Sequence, residues 1–228
     1  MIKGSLFVLT ASSLLAATAL ALPALDFSTN SGTSWTLASA DGSNWTLSFT
    51  PGSIEVDTAN PSTDPVLLDL VDLPTMTLDT INDAGMYLTA SLTPVGPAEL
   101  TITDDTGASG TVMTAAVGTG GSLVIGNTYV AYQMPQDDLD MLSYTPSYSA
   151  TIEGFEAYDA AGISWDLSFS GQATGGKNLY GMITGGVPDS ATGTISGQMS
   201  VVVPAPAAVI LAGIGICLVG WIKNRRTL

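Results

Sequence analysis

The chain has 228 residues, enough for one sizeable domain. Apolar residues make up 46% of it and charged residues 11%, with 20 Asp and Glu against five Lys and Arg. All the acids lie between Asp26 and Asp189, where Lys177 is the only cation, and this charge excludes nucleic acid as a partner. The absence of histidine removes Ser-His-Asp and Cys-His nucleophiles and most zinc sites. The only cysteine, Cys217, cannot form an intrachain disulfide.

Residues 1–21 have the three parts of a secretory signal peptide. Lys3 supplies a short basic region, an apolar run rich in Leu and Ala follows, and Ala19 and Ala21 form a small-residue cleavage site. We predict that signal peptidase cuts after Ala21; cleavage after Ala24 is an alternative, although Leu22 at the −3 position suits the peptidase less well. An uncleaved N-terminal anchor is the alternative.

The chain ends in a second membrane-directed segment. As an α-helix, the apolar run 207–222 would be ~24 Å long, slightly short of a hydrocarbon core of ~30 Å, and snorkelling cations can extend it. The basic end 223–228 favours a cytoplasmic C-terminus and leaves the preceding domain outside. We therefore predict a single transmembrane helix over 207–222.

The stretch Val-Pro-Ala-Pro at 203–206, the glycine-punctuated apolar run and the basic end together resemble a PEP-CTERM sorting domain. The resemblance covers only residues 203–228 and departs at Ala205, where the usual motif has Glu. It implies an exported protein that an exosortase-like protease cuts and releases to the cell surface or extracellular matrix of a bacterium. An ordinary anchor that is never cut is the alternative. By the same resemblance, the recognition element is Val203, Pro204 and Pro206, and the stop is Arg225 and Arg226.

Between residues 22 and 202, apolar and polar residues alternate with the period of strands that bury one face. This pattern predicts an all-β fold, an antiparallel β-sandwich with jelly-roll-like connections, between the N-terminal signal helix and the C-terminal transmembrane helix. A β-solenoid is the alternative, although we find no fixed repeat. No stretch of the domain has a convincing helical apolar period. The predicted strands are Ser34–Ser39, Asn44–Thr50, Met86–Thr93, Glu99–Thr103, Leu123–Tyr132, Ser149–Phe155, Ile163–Ser170 and Thr194–Val202.

Three tryptophans share a local pattern, a small polar residue before and a leucine two positions after. We interpret Trp35, Trp45 and Trp165 as core residues rather than as a platform for stacking sugars. Tyr144 and Tyr148 lie in a segment that contains Pro and Asp, and we expect them to be exposed.

Clustered carboxylates on loops are typical calcium ligands. Asp137, Asp138 and Asp140 form one cluster, and Asp104 with Asp105 forms another. Neither matches an EF-hand loop, and solvated acidic loops explain both more simply. Calcium is thus the only cofactor candidate. With so many acids, the sequence favours no pair as the two carboxylates of a glycosidase.

These observations predict a non-enzymatic exported protein that provides structure or binds polymer, with extracellular polysaccharide as a candidate partner. A carbohydrate-active enzyme with paired carboxylates and a calcium-dependent adhesive module are the alternatives. Signal peptidase, an exosortase-like protease and the membrane are the other expected partners. The chain divides into a signal peptide (1–21), a β domain (22–202) and a sorting tail (203–228) made of motif 203–206, helix 207–222 and basic end 223–228.

Overall fold

A computed structural model describes residues 23–30, 32–56, 69–134 and 139–201 of the chain. The signal peptide with its cleavage site, the sorting tail 203–228 and the calcium candidates Asp137 and Asp138 lie outside the described residues. No helix within the described ranges combines the length and the hydropathy needed to cross a membrane.

The described chain is built mainly from antiparallel strands, so the predicted all-β class is confirmed. Strands make up 53% of it and form a single 14-stranded sheet. The strands are β1 (Ala24–Thr29), β2 (Trp35–Ser39), β3 (Thr46–Phe49), β4 (Ile54–Val56), β5 (Leu70–Asp72), β6 (Met76–Asp83), β7 (Leu88–Pro94), β8 (Glu99–Thr103), β9 (Thr111–Val117), β10 (Gly121–Ile125), β11 (Tyr129–Gln133), β12 (Leu139–Tyr144), β13 (Trp165–Ala173) and β14 (Asp189–Val201). The helical segments are α1 (Ala150–Ala160), a 3₁₀ turn (Thr174–Gly176) and α2 (Leu179–Thr184).

Strand β14 closes the sheet into a barrel because it pairs along both edges. One edge pairs with β13, while the other pairs with β2 through residues 189–193 and then with β1 through residues 196–200. The pairing with β2 closes an eight-stranded antiparallel barrel in the order β14-β13-β11-β10-β7-β6-β3-β2. The pairing with β1 begins an extension in the order β1-β4-β5-β8-β9-β12.

The barrel with its extension differs from the predicted jelly-roll sandwich. A sandwich has two separate sheets that face each other, whereas here one strand of 13 residues belongs to both halves of a continuous sheet. The predicted strand Thr194–Val202 covers only the second half of β14. The first half, which closes the barrel, starts at Asp189 after a proline.

Glycines allow the sheet to bend where β14 changes partner. A Cβ at Gly193 or Gly171 would overlap the Trp35 side chain, and one at Gly197 would overlap the Phe27 ring. Glycine inside a strand often marks such a bend or a close approach of another group. The rings therefore fill the space that the missing side chains leave.

Helix α1 occupies the segment predicted as strand Ser149–Phe155, so that prediction is wrong. The Ser149 hydroxyl is the N-cap and accepts the Ile152 N–H at 3.2 Å, which favours a helix from this point. The helix packs against β12 and reaches β13, where the Phe155 and Trp165 ring centroids are 4.9 Å apart.

The predicted strand Leu123–Tyr132 is instead a hairpin of β10 and β11. Its turn occupies residues 126–128, and the Gly126 N–H donates to the Tyr129 carbonyl at 2.9 Å. The predicted strand Glu99–Thr103 has the bounds of β8, and the other predicted strands overlap β2, β3, β7, β13 and β14.

Helix α2 covers one end of the barrel. Its side chains Leu179 and Met182 are buried in the core. The Tyr180 hydroxyl donates to both carboxylate oxygens of Asp83, at 3.0 and 3.1 Å, which ties the helix to β6. The same contact raises the pKa of Tyr180.

The interpretation of the three tryptophans as core residues is confirmed. Trp35, Trp45 and Trp165 are at most 1% exposed. The expectation that Tyr144 and Tyr148 are exposed is wrong, since both are half-buried and pack against the core. Tyr144 lies on β12, against which helix α1 packs, and the Tyr148 hydroxyl donates to buried Asp69 at 2.9 Å.

Candidate functional site

A shallow polar groove crosses the outer face of the sheet where the barrel meets the extension. It lies on four neighbouring strands, β1, β14, β13 and β11. The antiparallel register aligns outward-facing side chains of these strands into three rows, and we call the surface they form the outer groove. The rows are Asp26–Gln198–Ser168, Ser28–Ser196–Ser170 and Thr194–Gln172–Tyr129.

The outer groove consists of two adjoining depressions of about 530 and 260 Å³. Both include Ser170 and Ser196, whose short side chains keep the middle of the groove low. Gln198 and Gln172 stand on either side of this middle row. A serine hydroxyl donates and accepts hydrogen bonds, and a glutamine amide offers two donors and an acceptor. The groove therefore presents donors and acceptors along its whole length.

Tyr129 is the aromatic side chain of the outer groove. It is 40% exposed at the start of β11 and pairs with Gln172 of β13. A Cβ at Gly126 would overlap the Tyr129 ring, so the ring lies directly against the β10–β11 turn. The turn glycine thus fixes the position of an aromatic surface that remains open to solvent.

The outer groove is negative at one end and uncharged along the rest of its length. Asp26 stands in the first row, and Asp166 lies one step further along β13, opposite Ser200. Within the described ranges, the one ion pair joins Lys177 to Asp189 at 2.8 Å, near the barrel end that α2 covers. That contact lowers the pKa of Asp189.

Of the predicted calcium ligands, the structure describes Asp140. It is exposed on β12 and pairs with Ala116 of β9. Among the described residues, no three acidic, histidine or cysteine side chains gather at one point. Because Asp137 and Asp138 lie outside these residues, the calcium site stays a prediction.

The two residues of the second acidic cluster, Asp104 and Asp105, differ in their contacts. The Asp104 carboxylate accepts the Thr106 hydroxyl at 2.6 Å, the Thr106 N–H at 2.8 Å and the Ser109 N–H at 2.8 Å. These bonds, the Thr106 hydroxyl first, lower the pKa of Asp104. Asp105 is exposed beside it. Asp104 therefore shapes the β8–β9 loop as an ionised carboxylate.

The register of β5 and β8 also places two buried carboxylates opposite each other. Leu70 pairs with Thr103, so Asp69 faces Asp104 one position further along. The Tyr148 hydroxyl donates to Asp69 at 2.9 Å. Facing carboxylates are what a glycosidase requires, but the oxygens of Asp104 are occupied by its own loop. This pair gives the enzyme alternative no support, and that alternative stays a prediction.

The outer groove was not predicted from the sequence. The alternation of small polar side chains on β13 and β14 was visible, but a solvated strand face has the same pattern. What turns it into a site is the register that sets the polar residues of four strands in rows, and this depends on distant parts of the chain. The signal that could have drawn attention is the matching run of Ser, Thr and Gln at 168, 170 and 172 and at 194, 196 and 198.

No family model, curated protein or solved structure matches this chain significantly. The fold and the site define the class instead: an acidic antiparallel β-barrel with an extension and a polar groove on its outer face.

Proposed function

We propose that this chain is an exported protein of a bacterial cell surface or extracellular matrix that binds extracellular polysaccharide without chemical conversion. The signal peptide 1–21 and the sorting tail 203–228 direct its delivery. Helix 207–222 anchors the protein until an exosortase-like protease cuts the tail. The resemblance of the tail to a PEP-CTERM domain and the signal-peptide pattern support this route.

The position of the two ends of the domain is consistent with this route. The Val201 N–H at the end of β14 donates to the Pro23 carbonyl at 3.4 Å, and Ala24 pairs with Ser200. Along the chain, the predicted signal-peptide cleavage site and the predicted sorting motif therefore each lie within a few residues of the Val201–Pro23 hydrogen bond. An anchored domain would be held to the membrane at this end of β14.

The outer groove is the observation that supports polysaccharide binding. A polysaccharide presents hydroxyl groups, which are donors and acceptors, at regular intervals, and the rows of Ser, Thr and Gln complement them. The groove is open along its sides, as a polymer requires, whereas pockets for small ligands enclose most of the ligand surface.

Affinity electrophoresis tests this function with the full chain and the extracellular polysaccharide purified from the producing cells. We expect the polymer to retard the wild-type chain. Ser196→Leu should reduce the retardation, because it fills the middle of the groove and removes a hydroxyl. Ser190→Leu, at an exposed position of the same strand outside both depressions, is the matched control and should behave as wild type. Equal retardation of both variants, or none of the wild type, would contradict the proposal.

A further inference from the structure

We propose that the outer groove binds one chain of an uncharged polysaccharide that crosses β14 and β13 obliquely and stacks a sugar ring on Tyr129 of β11. The inference rests on the proposed function. It adds the class of polymer, the direction of the bound chain and the side chain that contacts a ring face.

The direction follows from the order of the rows. The first two rows are centred on Gln198 and Ser196 of β14, whereas the third is centred on Gln172 of β13 and ends at Tyr129 of β11. The two depressions shift in the same way, from β1, β14 and β13 to β14, β13 and β11. A chain that follows both depressions therefore crosses β14 and β13 obliquely and reaches Tyr129, whereas a chain that stayed on β14 would end two strands away from the ring.

The charge of the domain selects against anionic polymers. Asp26 and Asp166 stand at one end of the groove, and Lys177, the only cation between residues 26 and 189, pairs with Asp189. A polyanion approaching this surface is repelled. A polycation is attracted by the whole acidic surface, so its binding would be sensitive to salt and would not depend on the groove. An uncharged chain is neither repelled by the acidic surface nor held to it by charge alone, so its binding depends on the groove.

Tyr129 provides the ring contact at the far end of the polar rows. Aromatic side chains combine a large apolar face with, in tyrosine, a polar tip. Gly126 holds this ring in place, and the 40% exposure leaves surface available to a ligand. Leu142, on β12 at the far end of the extension, is 55% exposed and lies outside the groove, so it is the control for loss of a large exposed side chain.

The test separates the polysaccharide of the producing cells into uncharged and anionic fractions by anion exchange. Binding of the full chain to each fraction is then measured at low and high salt. We expect binding to the uncharged fraction with little salt dependence. Tyr129→Ala should weaken it about tenfold, whereas Tyr129→Phe and the control Leu142→Ala should leave it near wild type. Gly126→Ala should also weaken binding, because its Cβ displaces the Tyr129 ring. The melting temperature of each variant shows that it is folded.

The outcomes separate this inference from the proposed function. Binding confined to the anionic fraction would overturn the uncharged ligand but leave a polysaccharide-binding protein. Equal effects of Tyr129→Ala and Leu142→Ala would overturn the stacking role in the same way. Failure of the wild-type chain to bind either fraction would overturn both proposals.

Discussion

At the scale of single residues, the barrel depends on contacts between glycines and aromatic rings. The Trp35 ring lies over Gly193 and Gly171, and its Nε1–H donates to the Thr194 carbonyl at 2.8 Å. A Cβ at Gly193 would overlap both this ring and the Gln172 carbonyl oxygen. Because one of these groups is backbone, no rotation of a single side chain relieves the overlap.

We therefore expect Gly193→Ala to lower the free energy of unfolding by about 1–3 kcal/mol. Urea unfolding of the full chain measures the change. Ser190→Ala, at an exposed position of the same strand, is the control and should stay within about 0.5 kcal/mol of wild type. Equal stability of the two variants would show that the contact between Trp35 and Gly193 is looser than described.

A second residue-scale prediction concerns the β2–β3 loop. The Asp41 carboxylate accepts the N–H groups of Asn44 and Ser43, both at 2.8 Å, and these bonds lower its pKa. Its ionised form therefore stabilises the fold fully above the ordinary aspartate pKa of 3.8, and this contribution is lost as the pH falls through the folded pKa. Asp41→Asn should be less stable than wild type at neutral pH, with a smaller difference in strong acid.

Urea midpoints at about pH 7 and about pH 2 test this dependence. Asp105→Asn, exposed on another hairpin loop, is the control for removing one charge from the surface. If the urea midpoints of Asp41→Asn and wild type differ by the same amount at both pH values, the ionised Asp41 carboxylate does not stabilise the β2–β3 loop.

At the scale of elements, the residues at the two ends of α1 indicate a helix more clearly than the residues in its middle do. The Gly162 N–H donates to the Asp159 carbonyl and the Ile163 N–H to the Tyr158 carbonyl, which is the Schellman pattern of a helix end. Gly162 has φ of +70°, a conformation that glycine adopts readily. Together with the Ser149 cap, this end defines a helix that a short alternating pattern had obscured.

Ser149→Ala should cost about 1 kcal/mol of unfolding free energy, because the buried Ile152 N–H loses its hydrogen-bond partner. Urea unfolding of the full chain again provides the measurement. Ser143→Ala, at an exposed position of β12, controls for loss of a serine hydroxyl near the helix. If both variants unfold at the same urea concentration, Ser149 does not act as the cap.

The elements were predictable from sequence where one strand face is buried and the other is solvated. β8 and most of β13 show this alternation and were predicted close to their observed bounds. The short strands β4 and β5, each of three residues, are too brief for a period to appear. The β10–β11 turn was missed because both strands are apolar and alternate, although the buried positions change from Leu123 and Ile125 to Val130 and Tyr132, a shift of phase that marks the turn.

At the scale of the whole molecule, closure and the groove both depend on pairing between distant residues. Asp189 of β14 pairs with Ser39 of β2, and Ser200 pairs with Ala24 of β1. No local sequence pattern indicates that one edge of β14 pairs first with β2 and then with β1. For the same reason, the rows of the outer groove could not be predicted, although the tryptophan core could.

The molecule also has two distinct ends. β14 has 13 residues and spans about 40 Å, at ~3.3 Å per residue, from Asp189 near α2 to Val201 beside Pro23. The outer groove begins near the Val201 end and continues along the strand. If the tail anchors the protein, the groove lies close to the membrane before release and becomes fully accessible after the tail is cut.

Mass spectrometry of the protein recovered from the cell surface tests this route of delivery. We expect a mature N-terminus at Leu22 and no peptides that extend to Leu228, because in the proposed route signal peptidase and the sorting protease remove the two ends. A surface protein that retains its tail through Leu228 would rule out exosortase-like processing.

Hydroxyl-radical footprinting tests the central claim, polysaccharide binding in the outer groove, most directly. The full chain is oxidised with and without the polysaccharide of the producing cells, and the labelling of individual side chains is read by mass spectrometry. Tyr129, 40% exposed in the groove, reports on the site, and Leu142, 55% exposed on β12, is the internal control. We expect the polymer to protect Tyr129 and to leave the labelling of Leu142 unchanged. Protection of Leu142 without protection of Tyr129, or no protection of either, would contradict binding in the outer groove.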